Sequence, residues 1–186
     1  VSPTGAQIAY TRNNEDGTSD IWLLDSDGAT HPVTRCVDAL CSAPSWSPDE
    51  SQLAYQRLDF NTGQHAAGGQ SRVWLVDLAT LDTRLLFEDP QILGAAPAWS
   101  PDGQRIAVYD AAAPGIHVHS LGGGADVVIA SVEGASGAFS PDGARLVYPL
   151  TMQGALREQF YSHLEIADLD AGTRFRLTGE ADAPID

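Results

Sequence analysis

The chain has 186 residues and a formal net charge of −15, and all ten of its basic residues are arginine. An acidic, lysine-free surface argues against nucleic acid and anionic lipid as partners, because phosphate binding needs clustered positive charge. No apolar run approaches the length of a membrane-spanning helix, so this segment is not expected to insert into a bilayer.

Taken in chain order, the first unit opens on Ser2-Pro3-Thr4-Gly5, followed by the apolar run Ile8-Ala9-Tyr10. An acidic stretch, Asn13 to Asp20, leads into Ile21-Trp22-Leu23-Leu24-Asp25, a turn at Asp25-Ser26-Asp27-Gly28 and a short strand at His31 to Arg35. The second unit repeats the order. A small-residue strand at Ala43 to Ser47 precedes Ser47-Pro48-Asp49-Glu50, then come Leu53-Ala54-Tyr55, Val73-Trp74-Leu75-Val76-Asp77 and Arg84 to Phe87. The third runs from Ala96 to Ser100 through Ser100-Pro101-Asp102-Gly103, Ile106-Ala107-Val108, Ile116 to Ser120 and Val127 to Ala130. The fourth runs from Gly134 to Ala138 through Ser140-Pro141-Asp142-Gly143, Leu146-Val147-Tyr148, Leu164 to Asp168 and Thr173 to Leu177. These runs are short, rich in β-branched and aromatic residues, and bounded by Gly, Pro, Asp and Ser, which is the pattern of strands.

A unit recurring at roughly 40–50 residues denotes a solenoid, propeller or array. Four antiparallel strands per unit make it a propeller blade. In Ser-Pro-Asp-Gly, proline presets the first corner and glycine takes the left-handed conformation, so the phrase joins two adjacent antiparallel strands. The expected fold is therefore all-β, a β-propeller of about four four-stranded antiparallel blades, incomplete at both ends. The blades fall at 1–36, 42–88, 95–131 and 135–179, with the start of a further inner strand at 182–186. The small inner strands suit the crowded axis, and Trp46, Trp99 and Phe139 are expected to wedge between neighbouring blades.

Little in the sequence has the character of a reaction centre. Gly134-Ala135-Ser136-Gly137-Ala138 misses the nucleophile-elbow pattern at its last position. Asn13 to Asp20 lacks the ligand alternation of a calcium loop. His117 and His119 share one face of a strand, a two-histidine platform without further ligands, and they read as packing residues. No catalytic residue, metal site or cofactor is expected, and the chain is read as a non-enzyme. Cys36 and Cys41 lie in the connection between the first two blades. A local disulfide there, with its oxidising compartment, is weighed against two free thiols.

The links from second to third strand differ in length: Asp59 to Ser71 and Thr151 to Ser162 are long, Asp110 to Pro114 short. In a propeller they share one face with the blade-to-blade connections. Function on a rigid scaffold concentrates in variable loops. Phe60, His65, Met152, Arg157, Phe160 and Tyr161 are the candidate contacts, since aromatic residues, Met and Arg favour interface cores. Packing of these loops on one another is the competing reading.

The phrases Trp46-Ser47-Pro48-Asp49, Trp99-Ser100-Pro101-Asp102-Gly103 and Phe139-Ser140-Pro141-Asp142-Gly143, with Ile8-Ala9-Tyr10 and Leu53-Ala54-Tyr55, resemble the TolB-type, WD40-like propeller repeat across essentially the whole chain. Thr4 and Glu50 depart from the phrase, and the helical N-terminal domain of the family's envelope protein has no counterpart here. The resemblance implies a propeller that binds protein partners in the periplasm or outside the cell, with further blades in the parent chain. The same repeat also forms the gating propeller of prolyl-oligopeptidase-like hydrolases, which is the alternative expectation.

Overall fold

The structure, a computed structural model, describes residues 1–60, 69–89, 91–153 and 160–178, with backbone only for 152, 153, 160 and 161. Its strands fall into four successive antiparallel units. The first holds β1 (Gln7–Asn13), β2 (Ser19–Asp25) and β3 (Thr30–Pro32). The second holds β4 (Ala39–Trp46), β5 (Gln52–Asp59), β6 (Ser71–Asp77) and β7 (Thr83–Leu85). The third is built from β8 (Ala95–Trp99), β9 (Arg105–Asp110), β10 (Gly115–Ser120) and β11 (Val127–Ala130). The fourth is built from β12 (Ala138–Phe139), β13 (Arg145–Gln153), β14 (Phe160–Asp168) and β15 (Thr173–Arg176). One parallel bridge, Ser19 to Leu40, continues the first unit's sheet into the second. The sheets are the all-β blades that the repeat predicts.

The Ser-Pro-Asp-Gly turns show why that phrase recurs. In the last two units the glycine N–H closes the turn on the serine carbonyl (Gly103 to Ser100, 3.0 Å; Gly143 to Ser140, 2.9 Å), with glycine φ near 70°. The serine hydroxyl donates to the aspartate at 2.5–2.6 Å in the last three units, and it also accepts the backbone N–H that opens the next strand. The turn's backbone donors are thereby satisfied without a further strand. In the first unit Thr4 replaces the aspartate and its hydroxyl lies 3.4 Å from that of Ser2.

Several boundaries differ from the sequence reading, among them the fourth inner strand, which is Ala138–Phe139 rather than Gly134 to Ala138, and the second outer strand, which is Thr83–Leu85 rather than Arg84 to Phe87. The second inner strand begins at Ala39 and carries Pro44 inside it, where a bulge between Ser42 and Ser45 sets Ala43 at φ 51°. The bulge removes the need for the N–H that proline lacks. Ala95 to Ala98 repeats the device, with Ala96 at φ 47°. The strand read at His31 to Arg35 ends at Pro32, and the Val33 and Thr34 N–H groups then share the Ile21 carbonyl. The long link of the fourth blade is shorter than its sequence span, because β13 and β14 continue pairing to Gln153 and Phe160.

Alternation along the strands divides the core into three layers, each between two neighbouring blades. Leu53, Tyr55 and Val76 face the first blade and pack on Ile21, Leu23 and Val33. Their strand neighbours Ala54, Val73 and Leu75, with Leu86 of the same blade, face the third blade and meet Ile106 and Val108. Ala107, Ile116, Val118 and Ile129 in turn meet Leu146, Tyr148 and Ala167 of the fourth. Trp46, Trp99 and Phe139 each pack against one of these layers from the inner strand, as wedges between blades.

Candidate functional site

The β1–β2 link, the connection between the first two blades and the end of β5 meet on one side of the molecule. A cavity of about 450 Å³ opens there between the first two blades. Its walls come from three segments: Asn14, Asp16 and Thr18 of the β1–β2 link with Asp20 at the start of β2, Arg35 to Asp38 from the connection, and Phe60 just past β5. Each segment is locally locked. The Asn14 amide donates to Thr18 Oγ1 and to Asp20 Oδ2, both at 2.9 Å, and Asp16 Oδ1 accepts the Thr18 hydroxyl at 2.6 Å. The Thr18 hydroxyl and N–H hold the Asp16 carboxyl below its ordinary value. Asp20 Oδ1 accepts the Cys36 N–H at 2.6 Å and the Thr34 hydroxyl at 3.1 Å, which ties the link to the connection. The Phe60 N–H closes the far wall by donating to the Asp38 carbonyl at 2.7 Å.

A disulfide joins Cys36 to Cys41 beneath this cavity. Both cysteines are buried in the layer between the first two blades, and the Ser19 hydroxyl donates to the Cys41 carbonyl at 2.9 Å. The bridge pins the connection where the chain passes from one blade to the next. Above it stand the exposed Val37 and half-buried Phe60, an apolar pair in an acidic rim. Such a surface can take a protein segment with an apolar side chain and positive flanks.

Of the candidate contacts named from the sequence, Phe60 alone lies at this cavity with its side chain described. Met152 and Tyr161 pair across β13 and β14, beside Gln153 and Phe160, at the end of the extended hairpin of the fourth blade. Their side chains, and Phe160's, lie outside the described residues, as do His65 and Arg157. Residues 182–186 lie outside them too. Val37, Asp38 and Arg35 were missed as binding candidates. The cysteine spacing around them was the available signal, since a pinned connection presents what lies between its ends.

The turn side is not featureless. A groove of about 450 Å³ lies there between the second and third blades, lined among others by Asp49, Arg84, Trp99, Asp102 and His119. His119 Nδ1 lies 2.9 Å from an Asp126 oxygen, with the ring edge-on to Phe87 at 5.0 Å. His117 Nε2 lies 3.7 Å from the buried Asp110. Among the described residues no three His, Cys, Asp or Glu side chains gather as a metal site. Sequence reasoning also missed a buried relay in the fourth blade. Tyr148 donates to Glu165 Oε2 at 2.7 Å, and His163 Nε2 lies 3.2 Å from Glu165 Oε1. The Tyr148 hydroxyl holds Glu165 below the usual carboxylate range, while burial first and Glu165 second push the phenol up to about 12. The three residues belong to β13 and β14 themselves, with Tyr148 and Glu165 paired across the strands, and so brace the hairpin.

No family model matches the chain. It is 39% identical over 104 residues to the Tol-Pal system protein TolB of Alcanivorax borkumensis, a match covering 55% of this chain and 22% of that protein. In fold it is similar to TolB from Acinetobacter baumannii, with a TM-score of 0.66 at 22% identity over 95% of this chain and 42% of that one. It is also similar to the β-propeller domain of the Trilobed protease from Pyrococcus furiosus, with a TM-score of 0.63 at 16% identity over 94% of this chain and 54% of that one. The chain thus matches about a fifth of the Alcanivorax protein and about half of each of these two solved propellers. It resembles TolB in sequence and propellers in fold.

Proposed function

We propose that this chain is a non-enzymatic propeller scaffold of the bacterial cell envelope, which binds a protein partner on the side bearing the inter-strand links. The observation that carries the reading is the locked cavity between the first two blades. Hydrogen-bonded walls and a disulfide floor hold Val37 and Phe60 at the surface without loss of loop entropy on binding. The similarity to TolB supports the envelope setting, and a disulfide is stable in such an oxidising compartment. Candidate contacts remain Phe60, His65, Met152, Arg157, Phe160 and Tyr161. The test is a binding measurement with an envelope protein retained by the immobilised chain. Phe60→Ala and Val37→Asp weaken it by about tenfold each, as for central anchors of an interface. Unchanged affinity in both variants would place the contact elsewhere.

A second reading, the substrate-access propeller of a larger prolyl-oligopeptidase-like hydrolase, draws on the likeness to the Pyrococcus protease propeller. It requires an α/β-hydrolase domain with a Gly-x-Ser-x-Gly nucleophile in the same polypeptide. Peptidase activity of that polypeptide, lost on replacing the motif serine, decides for it.

A further inference from the structure

Each blade ends in an outer strand, β3, β7, β11 or β15, whose far edge pairs with no other strand among the described residues. Such an edge offers unpaired N–H and C=O groups to any extended chain, and proteins blunt it with proline or charge. Three of the four are blunted. β3 (Thr-His-Pro) carries Pro32, β7 (Thr-Arg-Leu) carries Arg84, and β15 (Thr-Arg-Phe-Arg) carries Arg174 and Arg176. β11 is Val127-Val128-Ile129-Ala130 and has neither. Val128 is 54% exposed, and Val132 just beyond the strand is 68% exposed.

At one register position, opposite the third strand of each blade, Pro32, Leu85 and Arg176 stand where the third blade has Val128. The backbone at that position faces outward. The Ile129 carbonyl turns toward β10, since it lies 2.9 Å from where a side chain on Gly115 would begin. Antiparallel pairing alternates, so Val127 and Ile129 bond to β10 while Val128 and Ala130 direct N–H and C=O away from the sheet. Blades pack face to face, with Ile129 buried in the layer against the fourth blade. The β11 edge instead points across the row of blades to the outer rim, and its blade has a neighbour on either side.

We propose that β11 takes an extended segment of a partner protein as a fifth strand of the third blade, a segment apolar at its centre and basic at its ends. The charge follows from the surroundings. Asp126 precedes the strand with its carboxylate 37% exposed, Glu133 follows Val132, and the whole chain carries −15. A second copy would set like charges against one another. Main-chain bonds supply affinity in this mode of recognition, and side chains at alternate positions supply selectivity.

Amide exchange of the full chain tests this, with an end-capped heptapeptide of alternating valine and threonine between two terminal lysines as the probe. At saturating peptide the Val128 and Ala130 amides exchange about tenfold more slowly or better, and those of β3 and β7 are unchanged. Val128→Pro removes an outward donor, leaves the bonds to β10, and weakens peptide binding by about tenfold. Val128→Lys keeps the donor, adds the charge found on blunted edges, and weakens binding likewise. A peptide ending in glutamates binds about tenfold more weakly than the one ending in lysines. Unprotected Val128 and Ala130 amides, equal protection at β3 and β7, or binding indifferent to both variants or to the peptide's charge would overturn the proposal. Protection that grows with protein concentration in the absence of peptide would overturn it too, by assigning the edge to a second copy.

Discussion

Glu50 stands where the other turns have glycine, at φ 60°, and its carboxylate accepts the Thr4 N–H of the first blade at 2.5 Å. A side chain in the left-handed region costs about 1–2 kcal/mol, so the residue exchanges local strain for a tie between two turns. Glu50→Ala loses the tie and keeps the strain, whereas Glu50→Gly loses both. The glycine variant should be the more stable by about 1 kcal/mol in chemical denaturation. The aspartates of these turns set an acid limit. Chiefly the Ser47 and Ser140 hydroxyls hold Asp49 and Asp142 below 3.8; for Asp102 burial pushes upward as the largest single cause, and the Ser100 hydroxyl, the Gln104 N–H and the Arg105 charge together outweigh it and hold the carboxyl below the same value. With folded values below the unfolded one, their contribution is present above about pH 4 and is lost as pH falls through the folded values. A triple Asp→Asn variant should start less stable at neutral pH yet lose less between about pH 4 and pH 2 in thermal melts. These aspartates were legible as turn residues from the phrase alone. Their bond to the preceding serine was not, because two hydroxyl-bearing conformations serve a turn equally well until the strand beyond is placed.

The strands were largely legible because each blade repeats the same apolar columns, and four aligned copies outweigh the ambiguity of any one short run. Where the reading slipped, local chemistry had two outcomes. The second inner strand reads as starting at Ala43, next to Pro44, yet a bulge with Ala43 at positive φ lets it begin at Ala39 and run past the proline. The β13–β14 hairpin reads as a loop from Thr151 onward, yet cross-strand pairs such as Leu150 with His163 and Thr151 with Ser162 carry the ladder outward. The connection at Cys36–Cys41 belongs to this scale as well. Closing so short a loop stabilises by about 2 kcal/mol through chain entropy. A Cys36→Ser, Cys41→Ser variant should lose about that much stability and gain amide exchange first at β3 and the start of β4, where the first blade joins the second. Equal exchange throughout the chain would show that the bridge does not act locally.

At the scale of the whole molecule, the layered core explains both what holds the blades and what their two sides present. Seals of serine and aspartate occupy the turn side, while the opposite side gathers the links, the disulfide-pinned connection and the cavity holding Val37 and Phe60. That side was legible as a place, from unequal loop lengths, but its lining was not, because residues far apart in sequence meet there only once two blades pack. The direct measurement is site-specific photo-cross-linking in envelope extracts, with a photoreactive residue at Phe60 and, in a separate protein, at Asp27 in the β2–β3 turn. The account predicts a discrete protein adduct from position 60 and none from position 27. An adduct from position 27 alone, or from neither, would contradict it.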